Sequence, residues 1–348
     1  MHVDPVELCR ALVALPSISN QEGALCRWVA ERLGGEGWSV ETQSVPPDKD
    51  APAAPGRCNV LARPAGASGP PGVVLTTHLD TVPPFIPLSE DDVHLYGRGT
   101  CDAKGIFASM WAAADRLRAE GVTRVALLGV VGEETDSLGA KMVGELVPKA
   151  DWIVDGEPTE MRMADGAKGI LSLRLSQRGT AGHSAYPERG VSAVHGLVRS
   201  LARLMEAELP SDPRFGDTTV NIGVLEGGIA PNVIAPAASA QVMIRLSAAS
   251  DAVLEQVKRV VGPEVELAVV SRSEPHEIHA LSDHPREVVR FGSDVPYLSR
   301  IGKPLLVGPG SIHDAHTSGE KIRKDDLHRA AELYVEVTKA LLRDGAEG

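Results

Sequence analysis

Aromatic residues are scarce in this chain. Phe, Trp and Tyr make up 3% of its 348 residues, so aliphatic side chains and alanine must fill the core, and no aromatic platform is left for stacking bases or sugars. Basic residues are also in deficit. Against 47 Asp and Glu stand 35 Lys and Arg, a formal charge of −12 with no basic stripe, which argues against a protein that grips a phosphate backbone. Nucleic acid is therefore not an expected partner. No uninterrupted apolar stretch approaches the roughly 18 residues of a membrane span, so no membrane association is expected either. The opening "MHVDPVELCRALVALPSIS" carries an acid and a proline where a secretory signal would carry basic residues and then an apolar core. Only four cysteines occur, Cys9, Cys26, Cys58 and Cys101, with no C-x-x-C spacing. That excludes a zinc ribbon or a disulfide framework and reads as free thiols in the cytoplasm.

What is present is an ordinary globular composition, 43% hydrophobic, in a chain long enough for one large domain or two smaller ones. Helix-spaced apolar positions run from Pro5 to Leu15 and from Gln21 to Leu33. Strand-like runs follow at "WSVETQSV", "CNVLARP" and "GVVLTTHL", then a helical "IFASMWAAADRLRAE", the strand "RVALLGVV", a further helical stretch and the strand "DWIVDGEP". Strands alternating with helices predict an α/β sheet covered on both faces, with ligands at the carboxyl ends of its strands. After Gly166 the pattern changes. "ILSLRLSQ" alternates strictly, "VSAVHGLVRSLARLMEAEL" is helical, and "TTVNIGVLEGG", "SAQVMIRL", a helix around "DAVLEQVKRVVG" and "EVELAVVS" complete a β-α-β-β-α-β order. This is the ferredoxin-like unit, and it predicts an inserted α+β domain. The chain returns to α/β character with "KPLLVGPG" and a closing helix from Lys324 to Leu342. The expected division is residues 1–168 and 276–348 as one domain and 169–275 as the other. The Ala/Pro/Gly loop around Asp48 to Gly72 belongs to neither pattern.

Acids and histidines gather where strands end. Glu133 and Glu134 in "LLGVVGEETDSLGA" stand at the mouth of an apolar run, where two carboxylates are costly unless a metal or a proton transfer occupies them. His78 and Asp80 in "LTTHLDTVP" share one face of a strand, so the carboxylate can hold one imidazole nitrogen while the other meets a metal. Asp102 follows the glycine-rich turn "YGRGTCDAKG", a poor nucleotide fingerprint because its third glycine is missing. Glu157 follows the strand "DWIVDGEP", and His316 in "HDAHTSGE" follows "LLVGPG". Each alone reads as a loop polar residue; five strand ends carrying only His, Asp and Glu read as a metal centre. Two imidazoles and three carboxylates suit two zinc ions sharing a carboxylate, and ligand type leaves cobalt and manganese open. His313 lies three residues before His316, and spacing alone does not choose between them. Cys101, beside Asp102, could act as a thiol nucleophile with His183, but neighbouring carboxylates would raise its pKa.

The set "HLDTVP", "GRGTCDAKG", "GEETDSLGA", "DGEPT", "GTAGHSAYPERG", "GGIAPNVIAP" and "DAHTSGE" resembles, in order and over nearly the whole chain, the dinuclear-zinc deacylase and exopeptidase family. That family includes acetylornithine deacetylase, succinyl-diaminopimelate desuccinylase, aminoacylase and glutamate carboxypeptidase. The resemblance implies a zinc-exopeptidase-like α/β catalytic domain with an inserted ferredoxin-like lid that also mediates homodimerisation. It implies that His78, Asp102 and Glu157 hold one zinc and Asp102, Glu134 and His316 the other. Asp80 would orient His78, and Glu133 would be the general base. His183 in the lid would reach across the dimer to the substrate carbonyl oxygen, while Asn232 and Arg245 would contact the substrate, Arg245 through its carboxylate. The "AHTSGE" match selects His316 over His313.

The expected chemistry is hydrolysis of an N-acyl amino acid by water activated between two Zn2+ ions, for which Co2+ can substitute, with Glu133 moving the proton. N-acetylornithine is the first expected substrate, because guanidinium binds a free α-carboxylate through paired hydrogen bonds and because Glu157 replaces an aspartate usual in dipeptidase-like relatives. N-succinyl-diaminopimelate is the nearest rival, followed by a peptidase or aminoacylase activity. A metal-containing binding protein without catalysis is the alternative of another class, and it should have lost Glu133 or a ligand. The stretch between Ser273 and "GSDVPYLSRIGKPLLVGPG" is shorter than in such relatives, which puts the pocket near Asp294 in question.

Overall fold

The computed structural model describes residues 3–48, 51, 55–147 and 149–344. The loop read between Asp48 and Gly72 thus lies partly outside the described residues. In chain order the main elements are α1 (Pro5–Val13), α2 (Gly23–Gly35), β1 (Trp38–Ser44), β2 (Cys58–Pro64), β3 (Val73–His78), α3 (Lys104–Ala119), β4 (Val125–Val130), α4 (Leu138–Met142) and β5 (Trp152–Asp155). They continue with β6 (Gly169–Arg178), α5 (Ala193–Glu206), β7 (Thr219–Gly227), β8 (Ala237–Leu246), α6 (Ser250–Val261), β9 (Glu266–Ser273), α7 (Val295–Leu298), β10 (Lys303–Leu306) and α8 (Lys324–Asp344).

Two compact units emerge. The first comprises Met1–Asp165, Ile278–Glu287 and Ser293–Gly348, the second Gly166–Glu277 and Val288–Gly292. In the first, β3 pairs in parallel with both β4 and β5, and β10 pairs in parallel with β5. Antiparallel β2 and β1 extend the β4 edge. The parallel strands are rich in aliphatic residues, as strands buried on both faces must be, and all six residues of β3 and of β4 are buried. Their alternation feeds two cores. Val73, Leu75, Val125, Leu127, Val154 and Leu305 face the helices α1, α2, α3 and α8, whereas Val74, Ala126, Leu128, Val130 and Ile153 face α4 and α7. Because the four strands run the same way, their carboxyl ends share one edge, with His78 level with Val130 and Asp155 level with Thr76 and Leu306.

Local signals start the helices that pack on this sheet. Asp4 caps α1 by accepting from the amides of Val6 and Glu7, and Pro5 supplies a preset backbone angle in its first turn. A three-stranded sheet of residues 89–90, 94–96 and 321–323, which the sequence did not signal, ties the segment before Asp102 to the segment after His316.

The second unit is an antiparallel sheet in the order β7-β8-β6-β9 with α5 and α6 on one face. This is the ferredoxin-like arrangement, with the first and third strands side by side at the centre. Leu171, Leu173 and Leu175 on β6 and Val242 and Ile244 on β8 form its core with Leu197, Leu201, Leu204, Val253 and Val257 from the helices. Ser192 caps α5 through the amide of His195.

Candidate active site

Each parallel strand delivers an acid or a histidine at its carboxyl end. His78 is the last residue of β3, Glu133 and Glu134 follow β4, Glu157 follows β5, and His316 lies ten residues beyond β10. Asp102 arrives from the loop before α3. The ligand atoms of His78, Asp102 and Glu157 lie within 4.8 Å of one another, as do those of Asp102, Glu134 and His316, so Asp102 belongs to both groups. His78 Nε2 is 2.9 Å from Asp102 Oδ1, and His316 Nε2 is 3.2 Å from Asp102 Oδ2 and 3.0 Å from Glu134 Oε1. His313, exposed and held only by its amide to Ser311 Oγ, takes no part in either group.

Three carboxylates and two imidazoles in this arrangement are electrostatically incomplete without cations. Burial pushes Glu157 well above the usual carboxyl range, with Glu133 and Asp102 adding to the rise. Hydrogen bonds to Asp102 and Glu134 drive His316 up to about 10. His316 also holds a left-handed backbone at φ +62, an uncommon conformation for a non-glycine residue that turns its ring toward the two carboxylates. The donors fit zinc, which takes nitrogen and oxygen ligands of these types, and the absence of a thiolate leaves harder divalent ions admissible.

Asp80 does more than the sequence suggested. His78 Nδ1 lies 3.0 Å from the Asp80 carbonyl oxygen and 3.6 Å from its carboxylate Oδ1. The carboxylate instead gathers the turn that carries the two glutamates. Its Oδ1 accepts from the amides of Gly132 at 2.8 Å and Glu133 at 3.2 Å, and its Oδ2 from the amide of Glu134 at 3.2 Å and the hydroxyl of Ser19 at 2.8 Å. Gly132 makes that turn possible. Its φ is +85, and a Cβ there would fall 2.2 Å from Arg57 Nη2.

Glu133 belongs to neither ligand group. Burial raises its pKa well above the carboxyl range, with Asp294, Glu134 and Asp102 adding to the rise against His78. Asp294 is itself buried just before α7, and burial lifts its carboxyl to about 7. The shortened segment noted in the sequence therefore still places an acid beside Glu133. Cys101 is fully buried, donates to the Ser311 carbonyl oxygen at 3.4 Å, and is held well above the usual thiol range by burial, Asp102 and Glu320, which leaves it protonated.

Glu320 was visible only as the end of a motif. Its buried Oε1 accepts from three amides of one loop, Gly99 at 2.8 Å, Cys101 at 3.1 Å and Asp102 at 3.1 Å, while Oε2 pairs with Arg98 at 2.6 Å. One carboxylate thus fixes the backbone that presents Asp102. Glu320→Gln keeps the shape but replaces one acceptor oxygen by a donor, and metal affinity should fall about 10- to 100-fold. Competition titration with a chromophoric chelator measures it; unchanged affinity would remove Glu320 from the site.

In the second unit His183 and Asn232 lie on adjoining loops. The amide of Ser184 donates to the Asn232 carbonyl oxygen at 3.0 Å and that of Ile234 to the Gly182 carbonyl oxygen at 2.9 Å. Both residues are exposed. Arg245 is not with them. It sits near the far end of β8, paired with Thr219 and Ile170. From Ala237 to Arg245 the strand rises roughly 26 Å. Arg245 is half-buried, burial lowers its pKa, and among the described residues no carboxylate pairs with it within 4.0 Å.

Comparison with known proteins agrees with this geometry. Residues 74–340 match the model of peptidase family M20/M25/M40. A protein of Aspergillus terreus named a probable carboxypeptidase is 38% identical over 377 residues, covering 96% of this chain and 85% of that protein. A peptidase M20 domain-containing protein of Schizosaccharomyces pombe is 34% identical over 346 residues, covering 97% and 85%. Among solved structures, a Staphylococcus aureus tripeptidase superposes with a TM-score of 0.81 at 20% identity over 98% of each chain. Human carnosine dipeptidase 1 does so with 0.73 at 17% identity over 95% of each. With the family model covering most of the chain and two groups of residues that could hold a metal ion, this chain belongs to the M20/M25/M40 peptidase family and is a metal-dependent hydrolase.

Proposed function

We propose that the enzyme hydrolyses the amide bond through which an acyl or peptidyl group is joined to an amino acid with a free α-carboxylate. The observation that carries this reading is the pairing of two groups that could hold a metal, joined at Asp102, with a half-buried carboxyl of raised pKa, Glu133, that belongs to neither. His78, Asp102 and Glu157 would hold one zinc ion and Asp102, Glu134 and His316 a second. Bound there, the ions supply Lewis-acid polarisation and make water ionisable near neutral pH. The chain's own residues do the rest. Glu133 takes the proton of the attacking water and hands it to the departing amine, for which a raised pKa suits it. Asp80 holds the turn that aims Glu133, and Arg245, a half-buried guanidinium without an anionic partner among the described residues, receives the substrate carboxylate.

Two observations bear on the acyl side. Glu157 favours N-acyl amino acids, N-acetylornithine first and N-succinyl-diaminopimelate second. The relatives named carboxypeptidases favour a peptide losing its C-terminal residue. Both share the leaving amino acid, so the test compares N-acetylornithine, N-succinyl-diaminopimelate and short peptides, each with its α-carboxylate free or amidated. Amidation should lower kcat/KM about 100-fold for any substrate accepted, and Arg245→Met should abolish that discrimination. Equal rates on amidated substrates would refute the carboxylate assignment.

The separation of His183 from Arg245 supports a homodimer. His183 lies on a loop beside Asn232, before β8 begins, and Arg245 lies near the other end of that ten-residue strand, so one small substrate meets both only if two copies supply them. Edge strand β7 and helix α5 expose Val224, Leu225, Val198 and Met205, an apolar surface for a second copy. His183 of one copy would then donate to the developing oxyanion in the other's site. Co-expression of His183→Ala with Glu133→Gln should restore about a quarter of wild-type activity, since half the dimers carry one intact site. No recovery would mean that each chain works alone.

A further inference from the structure

A second set of reactive groups lies in the first unit. Cys26 on α2 is buried, and Cys58, the first residue of β2, is half-buried. Helix α2 lies directly on the chain entering β2. A Cβ on Gly23 would fall 2.1 Å from the Pro55 carbonyl oxygen and one on Gly56 2.6 Å from Arg27 Nη1, so nothing separates the two backbones. Glu22 and Arg57 close the same seam with a fully buried ion pair of 3.1 Å. Cys26 stands one helical turn beyond Glu22, its amide donating to the Glu22 carbonyl oxygen at 3.0 Å, and Cys58 is the residue after Arg57. Cys58 shares the face of β2 that carries Val60 and Ala62, and it packs in the same core cluster as Cys26, so both thiols lie on the α2 side of the strand.

We propose that Cys26 and Cys58 are a modification site: a dithiol that a low-molecular-weight disulfide oxidises to an intramolecular disulfide, stapling α2 to β2. The two sulfurs are unequal in a way that suits thiol–disulfide exchange. Cys58 is half-buried and open to a reagent whereas Cys26 is buried, and the neighbouring Cys26 thiol and Arg27 hold the Cys58 thiol below its ordinary value, so Cys58 is the attacking thiolate. It attacks one sulfur of the reagent, whose S–S bond breaks and releases the first thiolate, leaving a mixed disulfide on Cys58. The Cys26 sulfur then attacks the Cys58 sulfur, and the second reagent thiolate leaves with the Cys26 proton. Two protein thiols are oxidised by two electrons, and the reagent is reduced to two thiols. Cys26 keeps its proton until then because the contact with Cys58 and burial both raise it. Replacing Cys58 thiolate by a mixed disulfide removes the first of these. Cys9 and Cys101 are fully buried, out of reach of the reagent.

The staple would fasten the seam that supports the site. Arg57, adjacent to Cys58 and paired with Glu22, is the side chain against which Gly132 packs just before Glu133. The disulfide closes the loop from residue 26 to 58 and so restricts the unfolded chain.

The test uses the full-length, metal-loaded protein incubated with oxidised glutathione. Intact mass should fall by two hydrogen atoms, a non-reducing peptide map should show Cys26 joined to Cys58, and Tm should rise by on the order of 5 °C and return with dithiothreitol. Cys26→Ser should stop at a glutathione adduct on Cys58, and Cys58→Ser should show neither adduct nor cross-link. A wild-type map without the Cys26–Cys58 cross-link overturns the proposal, as does a cross-linked protein whose Tm is unchanged or lower. Adducts confined to Cys9 or Cys101 would overturn the assignment of the reactive thiol.

Discussion

Glu133→Gln should bind two metal ions per chain as tightly as the wild type and turn over about 1,000-fold more slowly. The expectation rests on the division of labour between two adjacent glutamates. Glu134 Oε1 lies 3.0 Å from His316 Nε2 within one of the two groups that could hold a metal, while Glu133 belongs to neither and burial, more than its neighbours' charges, raises its pKa. Glutamine preserves volume and removes only the ability to accept and return a proton. A loss of 1,000-fold corresponds to about 4 kcal/mol of transition-state stabilisation, within the range of a positioned general base. Glu134→Gln should behave differently, losing metal and activity together. Metal analysis beside steady-state kinetics separates the two: a Glu133→Gln protein with near-wild-type kcat, or one depleted of metal, would reverse the roles.

The placement of these groups was legible in the sequence because parallel strands have an unmistakable pattern. Buried on both faces, "VVLTTH" and "VALLGV" leave no room for a charge in their interiors, so the first acid or histidine that ends or follows each marks a carboxyl end. The alternation in "ILSLRLSQ" located the half-exposed sheet of the second unit in the same way. What escaped the sequence depends on contacts between distant segments. Glu320 and the three amides it collects are more than 200 residues apart, and the Asp80 carboxylate turns to the amides after β4 because Gly132 lets that backbone come close. Residues 163–167, "MADGA", form a strand antiparallel to β10 although their composition carries no β-forming signal; pairing alone dictates it. Residues 89–90 and 94–96 are too short to show a period. The separation of Arg245 from the His183 loop is likewise a property of the sheet, unreadable until β8 is known to run unbroken from Ala237 to Leu246.

Removing the metal should abolish activity and leave a protein whose stability answers to pH through His316. In the metal-free chain that imidazole is raised from 6.5 to about 10 by hydrogen bonds to Asp102 and Glu134, so the folded state holds its proton more tightly than the unfolded state does. The resulting stabilisation is complete below about pH 6.5 and is lost as pH climbs through 10. Half-exposure of the ring limits its size. Metal binding acts in the opposite sense, because ligands must shed their protons to coordinate, so affinity should rise over the same interval. The difference in Tm between metal-loaded and stripped protein should therefore widen from pH 6.5 to 9, starting from on the order of 10 °C when free metal is about 1,000-fold above its dissociation constant. Calorimetric titration with zinc near pH 7.5 in buffers of different ionisation enthalpy should register proton release. Activity should return with zinc or cobalt to the chelated enzyme, at least 100-fold above the stripped baseline. An enzyme indifferent to exhaustive chelation would overturn the metal centre, and a Tm difference constant across that interval would show that His316 gives up no proton to the ion and is not one of its ligands.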